Sequence, residues 1–252
     1  MWSSLYHAVF YDPMYNGLIF LVSVVPGGDV GIAIILLTIV VRFALFPLSL
    51  KATRTQLLMR ELEPELRRLR EELPKNKEEL ARRTMALYKE HRVNPFSSFL
   101  FLLVQIFFIF TLYLVFWKGG LPNIQDDLLY SFTPSPGAVS TMLFGVLDIA
   151  GKSFFLAAIA GITQYFQTKL SIPPPLPLPK DKKPSFKDDM ARSFNLQMRY
   201  ALPVIILVVS YTTSIVVALY FIVSNMVSIG QEAYVRRTLK RPTEAPPTGN
   251  AH

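Results

Sequence analysis

The sequence predicts an all-α membrane protein: five transmembrane helices, a cytoplasmic helical hairpin and an N-terminal interfacial amphipathic helix. Three observations predict it. Hydrophobic residues make up 51% of the 252 positions, and the mean hydropathy is +0.34. Apolar runs long enough to cross a hydrocarbon core of about 30 Å recur along the chain. The cations fall on alternate connecting segments, as orientation in a membrane demands.

Residues 1–30 carry no Lys or Arg, so the basic n-region of a secretory signal is missing. They are expected outside the cytoplasm, with Tyr15–Val25 as a short amphipathic helix in the interface, ended by Pro26-Gly27-Gly28. The first span is 31–50, GIAIILLTIVVRFALFPLSL, apolar except for Thr38, Arg42 and Ser49, with Pro47 expected to kink its end. Composition then changes abruptly. Residues 51–95 hold 12 Lys/Arg and 8 Asp/Glu. Leu62, Leu66, Leu69 and Leu73 make a heptad seam, and Leu80, Thr84, Leu87 and His91 repeat it. Pro74-Lys75-Asn76 separates the two, Asn76 with Glu79 makes a capping-box-like start, and Pro64 is expected to kink or restart the first arm. This segment is the cytoplasmic hairpin, whose net charge of +4 suits anionic head groups or a ribosome-bound client.

The second span is 96–117, uncharged, with one central amide at Gln105. Residues 118–150 form an extracytoplasmic loop with one Lys and three Asp. The third span is 151–170, and 171–196 is a cytoplasmic Pro-rich linker, extended and mobile. Residues 200–230 carry no charge over 31 positions. A single helix that long would measure about 46 Å, so the cluster Ser210-Tyr211-Thr212-Thr213-Ser214 is read as dividing it into spans 197–212 and 215–234. A cytoplasmic basic tail, 235–252, closes the chain. Five spans put a single Lys on one side, in 1–30, 118–150 and the 212–214 turn. The other side receives 12, 5 and 4 Lys/Arg in 51–95, 171–198 and the tail. That bias places the N-terminus outside and the C-terminus in the cytoplasm.

With no cysteine, three separated histidines and no GxSxG, Walker or GxGxxG motif, no catalytic residue, metal site or cofactor is expected and the chain is read as not an enzyme. No specific nucleic acid is expected as a partner. The chemistry lies in polar groups within the spans: Thr38 and Arg42, Gln105, Gln164 and Gln167, then Tyr220, Ser224 and Asn225. Arg42 stands 11 residues from one end of its span and 8 from the other. A central guanidinium costs about 2.5–3.5 kcal/mol on insertion scales. The one Asp or Glu in an expected span is Glu232, two residues from the end of the last, so a wet cavity lined by the amides and hydroxyls is expected around Arg42. A cationic cavity open to the cytoplasm and to lipid can receive a short hydrophilic, often acidic tail. The incoming apolar helix supplies the driving force, about 0.3–0.6 kcal/mol per Leu-like residue, and no nucleotide is needed.

Several phrases, in order, resemble the YidC/Oxa/Alb membrane protein insertases: GIAIILLTIVVRFALFPLSLKATRTQ, ELEPEL, LYKEH, VNPF, LLVQIFFIFTLY, GITQYFQTKLS and ALYFIVSN. The likeness covers roughly residues 12–238 and is to the short bacterial form. It implies a five-span core in the bacterial inner membrane, a groove arginine at Arg42, groove amides at Gln105 and at Gln164 or Gln167, and last-span aromatic contacts at Tyr220 and Phe221. It implies nascent membrane proteins and lipid as partners, with work beside the Sec translocon or alone and ribosomes as donors. The substrate-binding groove expected from residues and resemblance together is Arg42, Thr38, Gln105, Gln164, Gln167, Tyr220, Phe221 and Ser224. Two alternatives stay open: a small anion transporter or channel with Arg42 as its anion site, and a structural adaptor docking through the hairpin.

Overall fold

A computed structural model describes residues 5–74, 76–94, 96–118, 121–171, 193 and 196–239. The expected Pro-rich linker, apart from Ser171, Ser193 and Leu196, lies outside the described residues, as does the tail beyond Leu239. The described chain is mostly helical, as an all-α membrane protein requires.

The N-terminal helix is longer than the interfacial segment expected from Tyr15. A π-turn, His7–Tyr11, runs directly into α1, Asp12–Val24. The Asp12 N–H bonds back to His7 O, five residues earlier, just ahead of Pro13. Proline has no N–H and crowds the preceding turn, and the wider turn lets the helix pass it. One face of α1 is buried, through Tyr15, Leu18, Ile19 and Val22, so it packs as part of the bundle. Pro26–Gly28 forms a single 3-10 turn, where the sequence ends the helix.

The stretch 31–50 is shared by two helices. α2, Val30–Ala44, starts at an Asp29 cap whose carboxylate accepts the Ile32 N–H at 3.0 Å. α3, Phe46–Glu61, follows after the single residue Leu45, and the pair is bent by 64°. The bend precedes Pro47, which sits at the second position of α3, where its missing N–H breaks no helical bond. α3 runs through the change in composition at residue 51. Its buried positions Ser49, Ala52 and Thr55 share the side that meets the bundle.

α4, Glu63–Glu72, restarts after Leu62 with Pro64 in its first turn. α5, Lys77–Glu90, starts at Asn76, whose side chain accepts the Glu79 N–H at 3.0 Å. The two arms close over Leu62, Leu66 and Val93, flanked by Leu58, Met59, Leu87 and Tyr88. Arg83 of α5 reaches Glu72 of α4 at 3.8 Å near the turn. The heptad seam is buried where the arms leave α3 and opens outward: Leu69, Leu73 and Leu80 are half-buried and His91 is exposed.

Four more helices follow among the described residues: α6, Phe96–Lys118; α7, Phe154–Ser171; α8, Leu202–Thr212, entered through a π-turn at Gln197–Ala201; and α9, Ile215–Leu239. Ser214, in the polar cluster, parts the last two. By length and apolarity Ile215–Thr238 can cross a bilayer, and the bent pair α2 and α3 passes the same test together. α2 packs on α1 and α9, α7 on α8 and α9, and α3 on α6. Hydrocarbon is as apolar as leucine, so such helices gain from close approach more than from burial. Ala33, Ala157, Ala160 and Ala218 are each at most 1% exposed. A Cβ on Gly161 would lie 3.0 Å from Leu207 Cβ and 3.1 Å from Pro203 O, which shows how near α8 lies to α7.

Residues 121–153, most of them within the expected loop 118–150, carry a short hairpin, β1 (Met142–Leu143) paired antiparallel with β2 (Leu147–Asp148). They sit at the end of the bundle where α2, α7 and α9 begin, the loop end. α3 and the arms leave from the opposite, hairpin end. The attachments at the loop end run mainly through backbone. Val30 N–H donates to Ser140 O and Ser140 N–H to Gly28 O, both at 2.9 Å, and Ile215 N–H donates to Gly151 O at 3.0 Å. Asn16 donates to Leu128 O and accepts the Tyr130 N–H. The Tyr15 hydroxyl accepts the Gln125 N–H, and Asp29 accepts the Phe144 N–H at 2.7 Å. Gly28, at φ +64°, has no room for a side chain: a Cβ would lie 1.9 Å from Ala138 O.

Candidate functional site

The site begins on α2. Its helical phase puts Thr38 and Arg42 one turn apart on a common face, the face turned to α9. Thr38 is fully buried and donates to Ile34 O at 2.8 Å, within its own helix. That satisfies the hydroxyl locally and leaves Arg42 as the group that reaches outward. Arg42 lies beside the Tyr220 hydroxyl, close enough for a side-chain hydrogen bond. Gln105 of α6 donates from Nε2 to the same hydroxyl. One phenol of α9 therefore joins an arginine of α2 and an amide of α6, residues separated by more than 60 positions on either side.

The Tyr220 ring is held by two aromatic neighbours. Phe108 stands 5.7 Å away in a tilted arrangement and Phe221 5.4 Å away edge-on. Such pairs fix a ring's orientation as well as its depth. Ser224, one turn below, lies against Tyr220. Its hydroxyl is buried and makes no hydrogen bond of ordinary geometry among the described residues.

Arg42 itself is 6% exposed. The sequence predicts water around it; the structure surrounds it with protein. The reason lies in the dipoles: a phenol and the amide bonded to it stand where water would be, and a hydrogen bond to a charged group is among the stronger kinds.

Gln164 and Gln167 belong to a second polar chain on α7. Gln164 donates to Gln167 Oε1 and to Thr168 Oγ1, each at 3.1 Å, and Gln167 donates to Ser171 at 3.0 Å. Ser171 then donates to Glu232 of α9 at 2.6 Å. Glu232 is 4% exposed and pairs with Arg236 at 2.9 Å, and Arg236 donates on to Leu170 O at the end of α7. Between the two groups, Asn225 donates to Thr163 at 3.2 Å. Near the root of α3, Ser49 donates to Gln231 at 3.0 Å.

The structure thus brings Arg42, Gln105, Tyr220, Phe221 and Ser224 together, places Thr38 behind Arg42, and sets Gln164 and Gln167 in a chain that leads away to Glu232. Sequence reasoning passed over Thr163, Thr168, Ser171, Gln231, Glu232 and Arg236. A signal for them was present: Gln164, Gln167, Thr168 and Ser171 recur at i, i+3, i+4 and i+7, one continuous helix face, and Glu232 with Arg236 form an i, i+4 pair near the end of a helix that is uncharged before Glu232. Among the described residues no cluster of His, Asp and Glu could hold a metal ion.

The profile of the 60Kd inner membrane protein family matches residues 20–242. The chain belongs to that family. Relatives named membrane protein insertase YidC share its extent. That of Fusobacterium nucleatum is 28% identical over 213 residues, covering 83% of this chain and 87% of its own. That of Clostridium tetani is 27% identical over 212 residues, covering 84% of each. A longer relative of the same name from Francisella tularensis is 30% identical over 214 residues, covering 83% of this chain and 33% of its own.

Proposed function

We propose that this chain is a membrane protein insertase and chaperone of the bacterial inner membrane. The match to insertase relatives over most of both chains supports the reading most strongly. The Arg42–Tyr220–Gln105 cluster supplies its chemistry. In this proposal the spans are 31–50, 96–117, 151–170, 197–212 and 215–234. The loop end faces outward and the hairpin end faces the cytoplasm, with anionic lipid close to the arms. Clients are nascent membrane proteins, received beside the Sec translocon or from ribosomes directly.

The mechanism is an exchange of partners. A client's hydrophilic tail enters from the hairpin end, and its carboxylates replace the phenol and amide at Arg42. At about 4 Å and an effective dielectric near 20, an arginine–carboxylate contact is worth up to about 4 kcal/mol before desolvation. That compares with about 2.5–3.5 kcal/mol for an acidic residue in mid-membrane. Gln164, Gln167 and Ser224 offer further polar contacts as the tail passes, and the client's apolar helix leaves sideways into lipid. Tight packing round Arg42 keeps the site closed to ions between clients. No observation favours the anion-transporter reading.

The test is complementation. In cells depleted of their own insertase, this protein should restore insertion of a single-span substrate with an acidic tail. Arg42→Ala should lower that insertion at least tenfold, and Arg42→Lys should retain an intermediate rate, since a lysine keeps the charge but not the fork. Failure of the wild-type protein would remove the insertase reading. Full activity of Arg42→Ala would remove the exchange mechanism alone.

A further inference from the structure

The β1–β2 turn holds an arrangement that the bundle does not explain. Leu143, on one face, is 4% exposed and lies against Gly31 in the first turn of α2. Phe144 and Val146, at the tip, are 72% and 75% exposed. The turn also places Phe144 at φ +51° and Gly145 at φ +71°. Left-handed backbone suits Gly, Asn or Asp, and a bulky aromatic side chain is disfavoured there. Phe144 is thus a residue that neither its backbone nor water favours, and the described residues leave it largely uncovered. The six residues 142–147, MLFGVL, contain no polar side chain.

The surroundings say what covers it. Asp29 caps α2 and also accepts the Phe144 N–H at 2.7 Å, so the tip stands level with the end of α2. Exposed aromatic residues mark the same end of the other helices: Trp117 in the last turn of α6 and Phe154 in the first turn of α7. Lys118 and Lys152, both exposed, lie beside them. Aromatic rings with lysines next to them at helix ends belong to the head-group boundary of a bilayer.

We propose that the tip of the β1–β2 hairpin, through Phe144 and Val146, is a lipid anchor. It inserts into the head-group and upper acyl region of the leaflet at the loop end. Asp29 fixes its depth, because the same carboxylate holds the start of α2 and the tip. The anchor stands whether or not the chain inserts other proteins, since it is a property of how this end meets lipid.

The absence of native cysteine makes the test direct. Single-cysteine variants of the full chain, Val146→Cys at the tip, Ala81→Cys on exposed α5 and Ile162→Cys on the exposed side of α7, are labelled with a fluorophore. Each is reconstituted into phosphatidylethanolamine–phosphatidylglycerol vesicles. Quenching by nitroxide-bearing lipid and by aqueous iodide is then measured. The Val146 label should be quenched by the lipid at least threefold more than the Ala81 label, approaching the Ile162 label, with iodide quenching lowered to match. A Val146 label as open to iodide as the Ala81 label would overturn the proposal. A label shielded from both quenchers would also overturn it, and would point to a protein contact instead.

Discussion

The two ends of the bundle are tied in different ways. At the loop end the distant contacts finish on backbone: Asn16 on Leu128 and Tyr130, Tyr15 on Gln125, Asp29 on Phe144, and Ile215 on Gly151. Away from the loop they join side chain to side chain: Tyr6 to Thr111, Gln105 to Tyr220, Asn225 to Thr163, Ser49 to Gln231, and Ser171 to Glu232. Arg236 on Leu170 O is the exception. A backbone amide released into an apolar place has no rotamer with which to find another acceptor, and leaving it orphaned costs about 1–3 kcal/mol. A hydroxyl or amide side chain can turn to a new partner. The loop end is therefore built to stay and the other end to exchange, as the exchange proposed at Arg42 requires.

The sharpest way to break this comparison is Gly28→Ala. The added methyl meets Ala138 O in a backbone conformation that alanine resists. A loss of about 2–4 kcal/mol is expected, read as a lower unfolding temperature in detergent and faster proteolysis within 121–153. An unchanged midpoint would mean that the loop end is not the rigid one.

Tyr220→Phe sharpens the comparison from the other side. It removes one hydroxyl from a side-chain cluster, and the neighbouring groups can turn elsewhere. The stability cost should be about 1 kcal/mol, smaller than for Gly28→Ala, while insertion of an acidic-tailed client changes more than that of a neutral-tailed one. Equal effects on both clients would show that the phenol is only packing.

The smallest effect is expected on the hairpin arms. Arg82 and Arg83 bond to the Glu79 carboxylate at 2.9–3.0 Å and hold it below the usual carboxylate range. A depressed folded-state pKa means that this contribution is complete above the unfolded value, about 4.3, and fades as pH falls through the lower, folded value. Hydrogen-exchange protection at the start of α5, corrected for the intrinsic pH dependence of exchange, should therefore fall below about pH 4, while protection at the loop end does not. Glu79→Gln should abolish that pH dependence.

The elements that follow local rules were legible in the sequence. The Asn76 cap, the restart at Pro64, the end of α1 before Pro26-Gly27-Gly28 and the division at Ser214 each depend on a few neighbouring residues. Arg42 was singled out for its cost, which needs only its position in an apolar run. Its neighbours Gln105, Tyr220 and Phe221 were legible only through the family resemblance, not through any pattern in the residues. The Gln105–Tyr220 bond spans 115 positions and the Asp29–Phe144 bond also 115, and no periodicity carries such a pairing. The bend expected at Pro47 falls two residues before it, at Leu45, because a proline acts on the turn that precedes it. The N-terminal helix begins ahead of the expected Tyr15 because the π-turn at His7–Tyr11 that leads into it is invisible to a count of period 3.6.

The bend at Leu45 has a consequence for the arms beyond it. Ser49 is bolted to Gln231, so the first turn of α3 is oriented by the bundle. The compass direction in which the arms project is then set by the number of residues between Ser49 and Leu62. Removing one residue there would swing the arms about 100° round the axis of α3 and draw them in by about 1.5 Å. The length of this helix is thus a dial for aiming, and the arms hold their bearing only as long as its register is kept.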